Sequence, residues 1–161
     1  MKLKLDRLDK KIVDLLAEDG RMPSKEIAEK IEGATERMVR YRIKRLLDAG
    51  VISISARVNP QAIGFPVIAD IFIEVEPGQI MELAHRVAEY DNVTYVACST
   101  GERDVSIQVV AHDYREIYAF VTNVIAALPG VRRTSTSFVP MIIKDDSQWS
   151  LPESVILPDG R

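Results

Sequence analysis

Cysteine is almost absent from the sequence, and this excludes two kinds of structure. Cys98 is the single cysteine among 161 residues, so no disulfide can form within the chain and no metal site can be built from several thiolates. Long apolar runs are also absent, since no stretch approaches the ~18 uncharged apolar residues of a membrane-spanning helix. The first residues, MKLKLDRLDKK, lack the apolar centre of a signal peptide. We therefore predict a cytoplasmic protein with no membrane partner and no bound metal.

Sequence signatures of catalysis are missing as well. The sequence contains no G-x-S-x-G nucleophile turn, no glycine-rich phosphate-binding loop and no H-E-x-x-H metal site. Its two histidines, His85 and His112, lie in no motif, and Cys98 has no candidate base near it in the sequence. We interpret Cys98, in the middle of a predicted strand, as a small buried apolar residue. These absences predict a protein that is not an enzyme and needs no cofactor.

The net charge of −3 conceals an asymmetry along the chain. Residues 1–60 hold 14 Lys and Arg against 10 Asp and Glu, which gives +4, whereas residues 61–161 hold 7 against 14, which gives −7. Such a division predicts a basic module that meets a polyanion and an acidic module with a different role.

The basic part predicts three short helices. Apolar residues at three- and four-residue spacing predict an amphipathic helix over Leu5 to Glu18, with Asp9 away from its apolar side. A second helix is expected to begin at a Ser24 N-cap and to end at the following glycine. Thr35 is placed to cap a third helix, which ends near Gly50. The residues that this third helix is expected to bury are Val39, Ile43, Leu46 and Leu47.

The third helix carries cations opposite its apolar residues. A projection at about 100° per residue places Arg37, Tyr41 and Lys44 on the outward face, with Arg40 and Arg45 on its flanks. A short helix, a glycine turn and a helix with outward basic and aromatic residues form the arrangement that enters a DNA major groove. The alternative is an ordinary pair of helices whose charges are only solvated. The predicted DNA-contacting residues are Thr35, Arg37, Arg40, Tyr41, Lys44 and Arg45.

The remainder of the chain predicts a second, α+β module. β-branched residues over Val51–Val58 predict a strand, the segment Ala62–Pro66 predicts a hinge, and the domain boundary is expected near Pro60. From Val67 the pattern is strand, helix, strand, strand, helix, strand, with a long last strand over residues 131–144. Two β-α-β halves of this kind predict a ferredoxin-like βαββαβ fold with both helices on one face of a four-stranded sheet. We assign residues 1–60 to a winged-helix-like helix-turn-helix domain with its linker, 61–144 to the ferredoxin-like domain and 145–161 to a tail.

The second face of that sheet has no helix to cover it. Ile68, Phe72, Val96, Cys98 and Val110 predict a face that is at least half apolar. An exposed apolar face marks a partner surface, and the simplest partner is a second copy related by a two-fold axis. We therefore predict a homodimer built on this module.

The segments LDRLDKKIVDLL, RIKRLLDAGVI and RVNPQAIGF, followed by the βαββαβ module, resemble the Lrp/AsnC (leucine-responsive, feast/famine) family of transcription regulators. The resemblance covers about residues 5–144, and the order of modules is more specific than any one motif. It implies binding of double-stranded DNA by the first module and a RAM/ACT-like second module that senses a ligand. It also implies a homodimer that assembles further into tetramers or octamers, and a small effector, commonly an amino acid, bound between sheet modules.

The resemblance assigns the effector to the turn between the two middle strands. The turn from Thr100 to Asp104 matches a family turn with a glycine followed three residues later by an aspartate, which in relatives helps to hold the ligand's amino and carboxyl groups. A glycine allows close backbone approach, free turn N–H groups suit a carboxylate, and an aspartate suits an ammonium. The alternative is an ordinary hairpin turn, which favours Gly and Asp for its own geometry. Thr134 and Ser135 of the last strand add two hydroxyls to this turn. The predicted ligand-binding residues are therefore Thr100, Gly101, Arg103, Asp104, Thr134 and Ser135.

Two other functions share this architecture. Siroheme decarboxylases are enzymes that need positioned His and Arg side chains around a tetrapyrrole. Here His85 lies beside the apolar side of a helix and His112 lies at a strand end. Both positions are more typical of structural or solvated residues. The other alternative is an oligomeric sensor without DNA binding, against which the cationic face of the third helix argues.

The chain continues beyond the end of the resemblance. Trp149, Leu151, Val155, Ile156 and Leu157 make residues 145–161 too apolar for a purely solvated tail. We predict that this tail docks on a neighbouring subunit or covers the ligand site, and the alternative is a frayed end.

Overall fold

The computed structural model describes residues 3–101, 103–145 and 149–157. The chain divides into two compact units. The first unit comprises the chain up to Arg57 together with the chain from Ile143 onward, and the second comprises Val58–Ile142. No helix among the described residues combines the length and the apolarity that crossing a membrane requires.

Three helices form the first unit: α1 (Arg7–Glu18), α2 (Ser24–Lys30) and α3 (Glu36–Asp48). The three predicted helices are confirmed, and so is the Thr35 cap, whose hydroxyl accepts a hydrogen bond from the Met38 N–H at 3.3 Å. The predicted Ser24 cap is wrong, because Ser24 is the first helical residue and Pro23, which precedes it, supplies no side-chain cap. Helix α1 begins two residues later than predicted because Asp6 caps it.

The core of the first unit lies where the apolar sides of the three helices meet. Ile12 of α1, Ile27 of α2 and Val39 of α3 are fully buried there. Leu46 of α3 is buried in a second, smaller cluster. The prediction that Leu47 is buried is wrong, since it is 39% exposed; an α-helix turns 100° per residue, so the residue after Leu46 leaves the contact.

The segment that follows α3 is extended but forms no sheet. A strand was expected over Val51–Val58, and this prediction is wrong: none of these residues pairs with another strand in the described part of the chain. β-branched residues favour the extended backbone, but a strand also needs a neighbour to receive its hydrogen bonds. At the expected hinge a single 3₁₀ turn, Gln61–Ile63, ends at Gly64 with a φ of 94°.

The second unit contains four strands and two helical segments. In chain order they are β1 (Val67–Val75), α4 (Ile80–Val87), β2 (Val93–Cys98), β3 (Val105–Ala111), α5 (Tyr114–Ala119) and β4 (Val131–Phe138). Helix α5 continues through a π-helical turn, Phe120–Val124, and a 3₁₀ turn, Ile125–Ala127. The antiparallel sheet has the order β2-β3-β1-β4, which confirms the ferredoxin-like fold. The last strand ends at Phe138 and not near residue 144.

One face of the sheet holds the core of this unit. Ile71 and Ile73 of β1 and Ile107 of β3 are buried on it, together with Val87 of α4 and Ile117 of α5. Both helices therefore lie on this side, which we call the helix face.

The opposite side, the open face, is mixed in character. Phe72 lies on it opposite Ser106 and Ser135, and Asp70 accepts a hydrogen bond from the Gln108 side chain at 3.0 Å. Ile68 adds apolar surface, whereas Val110, its partner across the strands, is buried. The open face is therefore part apolar and part polar.

Two residues expected on the open face lie on the helix face. Val96 pairs with the buried Ile107 and packs on the core. Cys98 pairs with the buried Val105, and its Sγ lies 4.0 Å from the Sδ of Met81 in α4. Cys98 is also exposed and not buried. The cause is a bulge in β2, where Val93 opposes Val109 and Tyr95 opposes Gln108, because one extra residue reverses which side chains face the core.

Candidate nucleic-acid interface

The outward surface of α3 is cationic, as its sequence predicts. Arg37, Tyr41 and Lys44 are exposed, whereas Val39 and Leu46 on the opposite side are fully buried. Tyr41 is 65% exposed, so its ring and hydroxyl are accessible to a partner. The helix thus presents a surface of two guanidinium groups (Arg37 and the flanking Arg40), an ammonium and a phenol.

The ion pairs on this surface are weak ones. Arg40 pairs with Glu36, and the Lys44 Nζ lies 2.6 Å from the Asp48 Oδ2, both at i,i+4 spacing and both exposed. Exposed pairs of this kind contribute about 0.3–0.5 kcal/mol. The Arg37 side chain forms no ion pair or hydrogen bond within the described residues. A phosphate or a base edge can therefore recruit these cations at little cost to the fold.

Asp9 is the residue that sequence reasoning misplaced most. It was expected on the polar side of the first helix, yet it is 0% exposed. Its carboxylate accepts hydrogen bonds from Arg42 at 3.0 Å and from Arg45 at 2.6 Å. The Asp6 N–H donates to it at 3.0 Å, and the Asp9 N–H donates back to Asp6, which closes a capping box. A carboxylate satisfied in this way can be buried without a large penalty.

We call Asp6, Asp9, Arg42 and Arg45 the Asp9 cluster, and it fixes α1 against α3. Arg42 also contacts the Asp6 carboxylate, with 2.6 Å between Nη1 and Oδ2. Burial alone raises the pKa of the Asp6 carboxyl, but the Asp9 N–H and the Arg42 guanidinium outweigh it, so this pKa lies below its usual value. The outward cationic surface of α3, which we call the recognition surface, is thereby held by charge pairs on the inner side of the same helix.

Arg45 belongs to this cluster and not to the outward surface. Its guanidinium is directed at Asp9, although the projection placed it on the flank of the DNA-facing side. Arg42, which the sequence did not mark as functional, has the same inward role. Two sequence features could have predicted the cluster. One is the Asp-x-x-Asp spacing of a capping box on the first helix, and the other is the pair of arginines three residues apart on the third helix.

The turn between β2 and β3 contains four of the six predicted ligand residues. Thr100, Gly101 and Arg103 are exposed in it, and Gly101 has a φ of 132°, which a glycine adopts without strain. Asp104 is partly buried, and its Oδ2 accepts a hydrogen bond from the Val75 N–H at 2.7 Å. This bond caps the point where the register between β1 and β4 shifts. One oxygen of the Asp104 carboxylate is thus already engaged by the backbone.

The predicted ligand residues fall on two sides of the sheet. Thr134 pairs with the buried Ile73 and lies on the helix face, whereas Ser135 pairs with Phe72 on the open face. The guanidinium carbon of Arg103 lies 4.0 Å from the centroid of the Phe72 ring, a favourable cation–π distance. Arg103, Phe72 and Ser135 therefore come together, and Thr134 does not join them.

The two histidines lie in ordinary surroundings. His85 is exposed on α4. The Nδ1 of His112 lies 2.9 Å from the Glu116 carboxylate, and its ring centroid lies 4.2 Å from that of Phe65. The His112 N–H and ring lower the pKa of Glu116. The contact joins the residue before the N-cap Asp113 to the first turn of α5.

Comparison with known families gives two matches that together span most of the chain. Residues 5–47 match the AsnC-type helix-turn-helix domain, and residues 68–149 match the Lrp/AsnC ligand binding domain. The first match contains α1, α2 and most of α3, and the second contains the four-stranded sheet except for its first residue, Val67.

Proteins of similar sequence are named as HTH-type transcriptional regulators. An HTH-type transcriptional regulator of Pyrococcus furiosus is 36% identical over 141 residues, which cover 87% of this chain and 95% of that protein. The HTH-type transcriptional regulator FL11 of Pyrococcus abyssi is 34% identical over 149 residues, covering 92% and 97%.

Solved structures agree in fold. A transcriptional regulator of Neisseria meningitidis in complex with L-Met has a TM-score of 0.82 at 28% identity and covers 92% of this chain and 96% of that one. AsnC of E. coli has a TM-score of 0.79 at 22% identity, with coverage of 89% and 98%; this second likeness concerns the fold alone.

Proposed function

The chain belongs to the Lrp/AsnC family of DNA-binding transcription regulators, and we propose that its DNA affinity is set by an amino-acid effector held between the sheet units of two copies. The observation that carries this proposal is the match of the second unit to the family's ligand binding domain. The L-Met complex of the Neisseria regulator supports an amino acid as the chemical class of the effector. The decarboxylase alternative gains no support from relatives, which are named transcriptional regulators.

On the DNA side we propose that α3 enters the major groove. Arg37, Arg40 and Lys44 are expected to contact guanine edges or phosphates, and Tyr41 a thymine methyl or the backbone. Thr35, exposed at the start of the helix, is expected to contact a phosphate. Arg45 is left out of this set, because it is committed to Asp9.

The operator geometry follows from the two-fold dimer. Two recognition helices are expected about one helical turn apart, ~34 Å, so the operator is expected to be roughly palindromic. Selection of duplexes from a random-sequence library with the full chain tests this directly. Inverted half-sites with centres about 10 base pairs apart support the proposal, and enriched sequences without any dyad contradict it.

On the effector side we propose that the open face near the β2–β3 turn is the site. The Arg103 guanidinium is suited to a carboxylate because it donates two parallel hydrogen bonds. The Phe72 ring beneath it offers apolar surface to a side chain, and the Ser135 hydroxyl and the turn at Thr100 and Gly101 offer polar groups. Asp104 is expected to order this turn through the Val75 N–H, with its second oxygen left for an ammonium.

A thermal-shift screen of the twenty amino acids tests the effector proposal. A ligand present at 100 times its Kd stabilises the folded state by about 2.7 kcal/mol, which raises the melting midpoint by several degrees. We expect Arg103→Ala to abolish the shift and Arg86→Ala, which removes an exposed guanidinium from α4, to preserve it. The absence of any shift with all twenty amino acids would refute the effector proposal and leave DNA binding unaffected.

We also propose that the open face forms the dimer contact and that dimers assemble into tetramers or octamers in the cytoplasm. Phe72, Ile68 and the exposed Tyr95 supply its apolar part. The pair of Asp70 with Gln108 supplies polar groups that a two-fold related copy can meet. Light scattering coupled to size exclusion measures the assembly.

A further inference from the structure

The last described segment of the chain, Trp149 to Leu157, lies in the first unit although it follows the second unit in the sequence. The Leu157 N–H donates to the Leu5 carbonyl oxygen at 2.8 Å. Leu5 and Ile156 form a parallel β-bridge. We call residues 149–157 the C-terminal clasp. Neither of the predicted roles for the tail, docking on a neighbour or covering the ligand site, describes this contact.

The clasp completes an apolar cluster between α1 and α3. Leu151 and Ile156 pack there against Leu5, against Val13 of α1 and against Leu46 of α3. Leu46 is fully buried, and it lies in the helix that carries the recognition surface. Removal of two aliphatic side chains from this cluster exposes Leu46 and Val13 to water, which costs stability in proportion to the area exposed.

A polar contact adds to the apolar one. The Ser150 hydroxyl donates to Asp14 of α1, and the Lys10 Nζ donates to the other oxygen of the same carboxylate at 2.9 Å. Burial alone raises the pKa of Asp14, but the Ser150 hydroxyl and Lys10 outweigh it and lower the pKa. The clasp is therefore held to the first unit by an apolar and a polar contact.

We propose that the clasp is a positioning element of the DNA-binding unit, and that α3 reaches its full affinity for DNA only when the clasp is docked. The chain leaves the first unit after Arg57 and returns to it at Ile143. The Arg57 Nη1 lies 3.1 Å from the Asp145 Oδ2, so the departing and returning segments are paired. The second unit is thus covalently linked to the first at both of its ends.

Single substitutions in the clasp test this role. Ile156→Asp places a charge in the apolar cluster. Two variants serve as controls: Ile156→Val keeps the shape and the polarity of the side chain, and Leu157→Asp places the same charge at a more exposed neighbour outside the cluster. Affinity is measured by fluorescence polarisation with a labelled duplex that the full chain has selected from a random-sequence library. Trp149 is the only tryptophan, so its fluorescence anisotropy reports whether the clasp is docked.

We expect Ile156→Asp to lower the Trp149 anisotropy and to weaken DNA binding by about tenfold at 25 °C, because a carboxylate in an apolar cluster is costly enough to release the segment. Ile156→Val and Leu157→Asp are expected to stay within about twofold of the wild type. Circular dichroism confirms that each variant is folded at the temperature of the binding assay.

A truncation guards against a variant that merely fails to fold. A chain that ends at Lys144 is expected to bind the duplex weakly and to recover when a peptide of residues 145–161 is added in trans, but not when that peptide carries Ile156→Asp. Affinity within twofold of the wild type for the truncated chain, or for Ile156→Asp, overturns the proposal. An unchanged Trp149 anisotropy in Ile156→Asp overturns it as well.

Discussion

Replacement of Asp9 by alanine is the perturbation whose size the structure defines best. The Asp9 side chain is 0% exposed, while those of Arg42 and Arg45 are 21% and 27% exposed. The substitution removes the carboxylate that both arginines share and leaves two largely desolvated guanidinium groups. It also removes one half of the capping box at the start of α1.

The expected loss of stability is large for a single substitution. Removal of one partner from a buried ion pair costs about 3–5 kcal/mol, and loss of the hydrogen bond from the Asp6 N–H to the Asp9 carboxylate costs about 1 kcal/mol. Because both arginines retain some solvent contact and Arg42 keeps Asp6, we expect about 3 kcal/mol for Asp9→Ala. In a unit of this size 1 kcal/mol moves the melting midpoint by about 4–8 °C, so the first unit should melt roughly 12–24 °C lower.

Thermal and urea unfolding followed by circular dichroism measure this change. Asp48→Ala is the matched control, because Asp48 pairs with Lys44 at an exposed site and its removal should cost less than about 0.5 kcal/mol. Asp9→Asn keeps the size of the side chain and part of its hydrogen bonding and should fall between the two. A loss below 1 kcal/mol for Asp9→Ala would refute the view that the Asp9 cluster holds α3 in place.

Three further predictions concern other parts of the molecule. The folded-state pKa values of Asp6 and Asp14 are lowered, so their contribution to stability is present above the usual carboxyl pKa and is lost as the pH falls through the folded pKa values. The melting midpoint of the first unit should therefore fall as the pH drops below the usual carboxyl pKa of about 4, and less steeply in Asp14→Asn. Phe72→Asp should convert the assembly to monomers in light scattering, whereas Tyr118→Asp, at an exposed site on α5, should not. Asp104→Ala should lower the melting midpoint of the second unit without any ligand, since the Val75 N–H loses its acceptor, and an unchanged midpoint would show that this bond is dispensable.

The parts of the fold that depend on local pattern could be predicted from the sequence. Helical periodicity identified α1, α2 and α3, and the alternation of β1 identified its buried side. The outward placement of Arg37, Tyr41 and Lys44 followed from the geometry of one helix alone. In each case the deciding contacts lie within one element, where spacing determines direction.

The parts that failed depend on residues far apart in the chain. The burial of Asp9 requires Arg42 and Arg45, more than thirty residues away, and the sequence of α1 alone shows only an acidic helix start. The face on which Val96 lies depends on a bulge that strand alternation does not reveal. The docking of Ile156 on Leu5 joins the two ends of the chain, and no local signal encodes such a contact.

The central claim is that the cationic outward face of α3 binds DNA. The salt dependence of operator binding tests it most directly. It is measured for the wild type, for Arg37→Ala and Lys44→Ala, and for the matched control Lys11→Ala on α1. Both α3 variants should bind a selected duplex more weakly, with an unchanged oligomeric state. A variant that loses a phosphate contact should also show a slope of log K against log salt that is smaller by about 1. Equal affinities and equal slopes for all four proteins would show that this face of α3 does not lie on DNA.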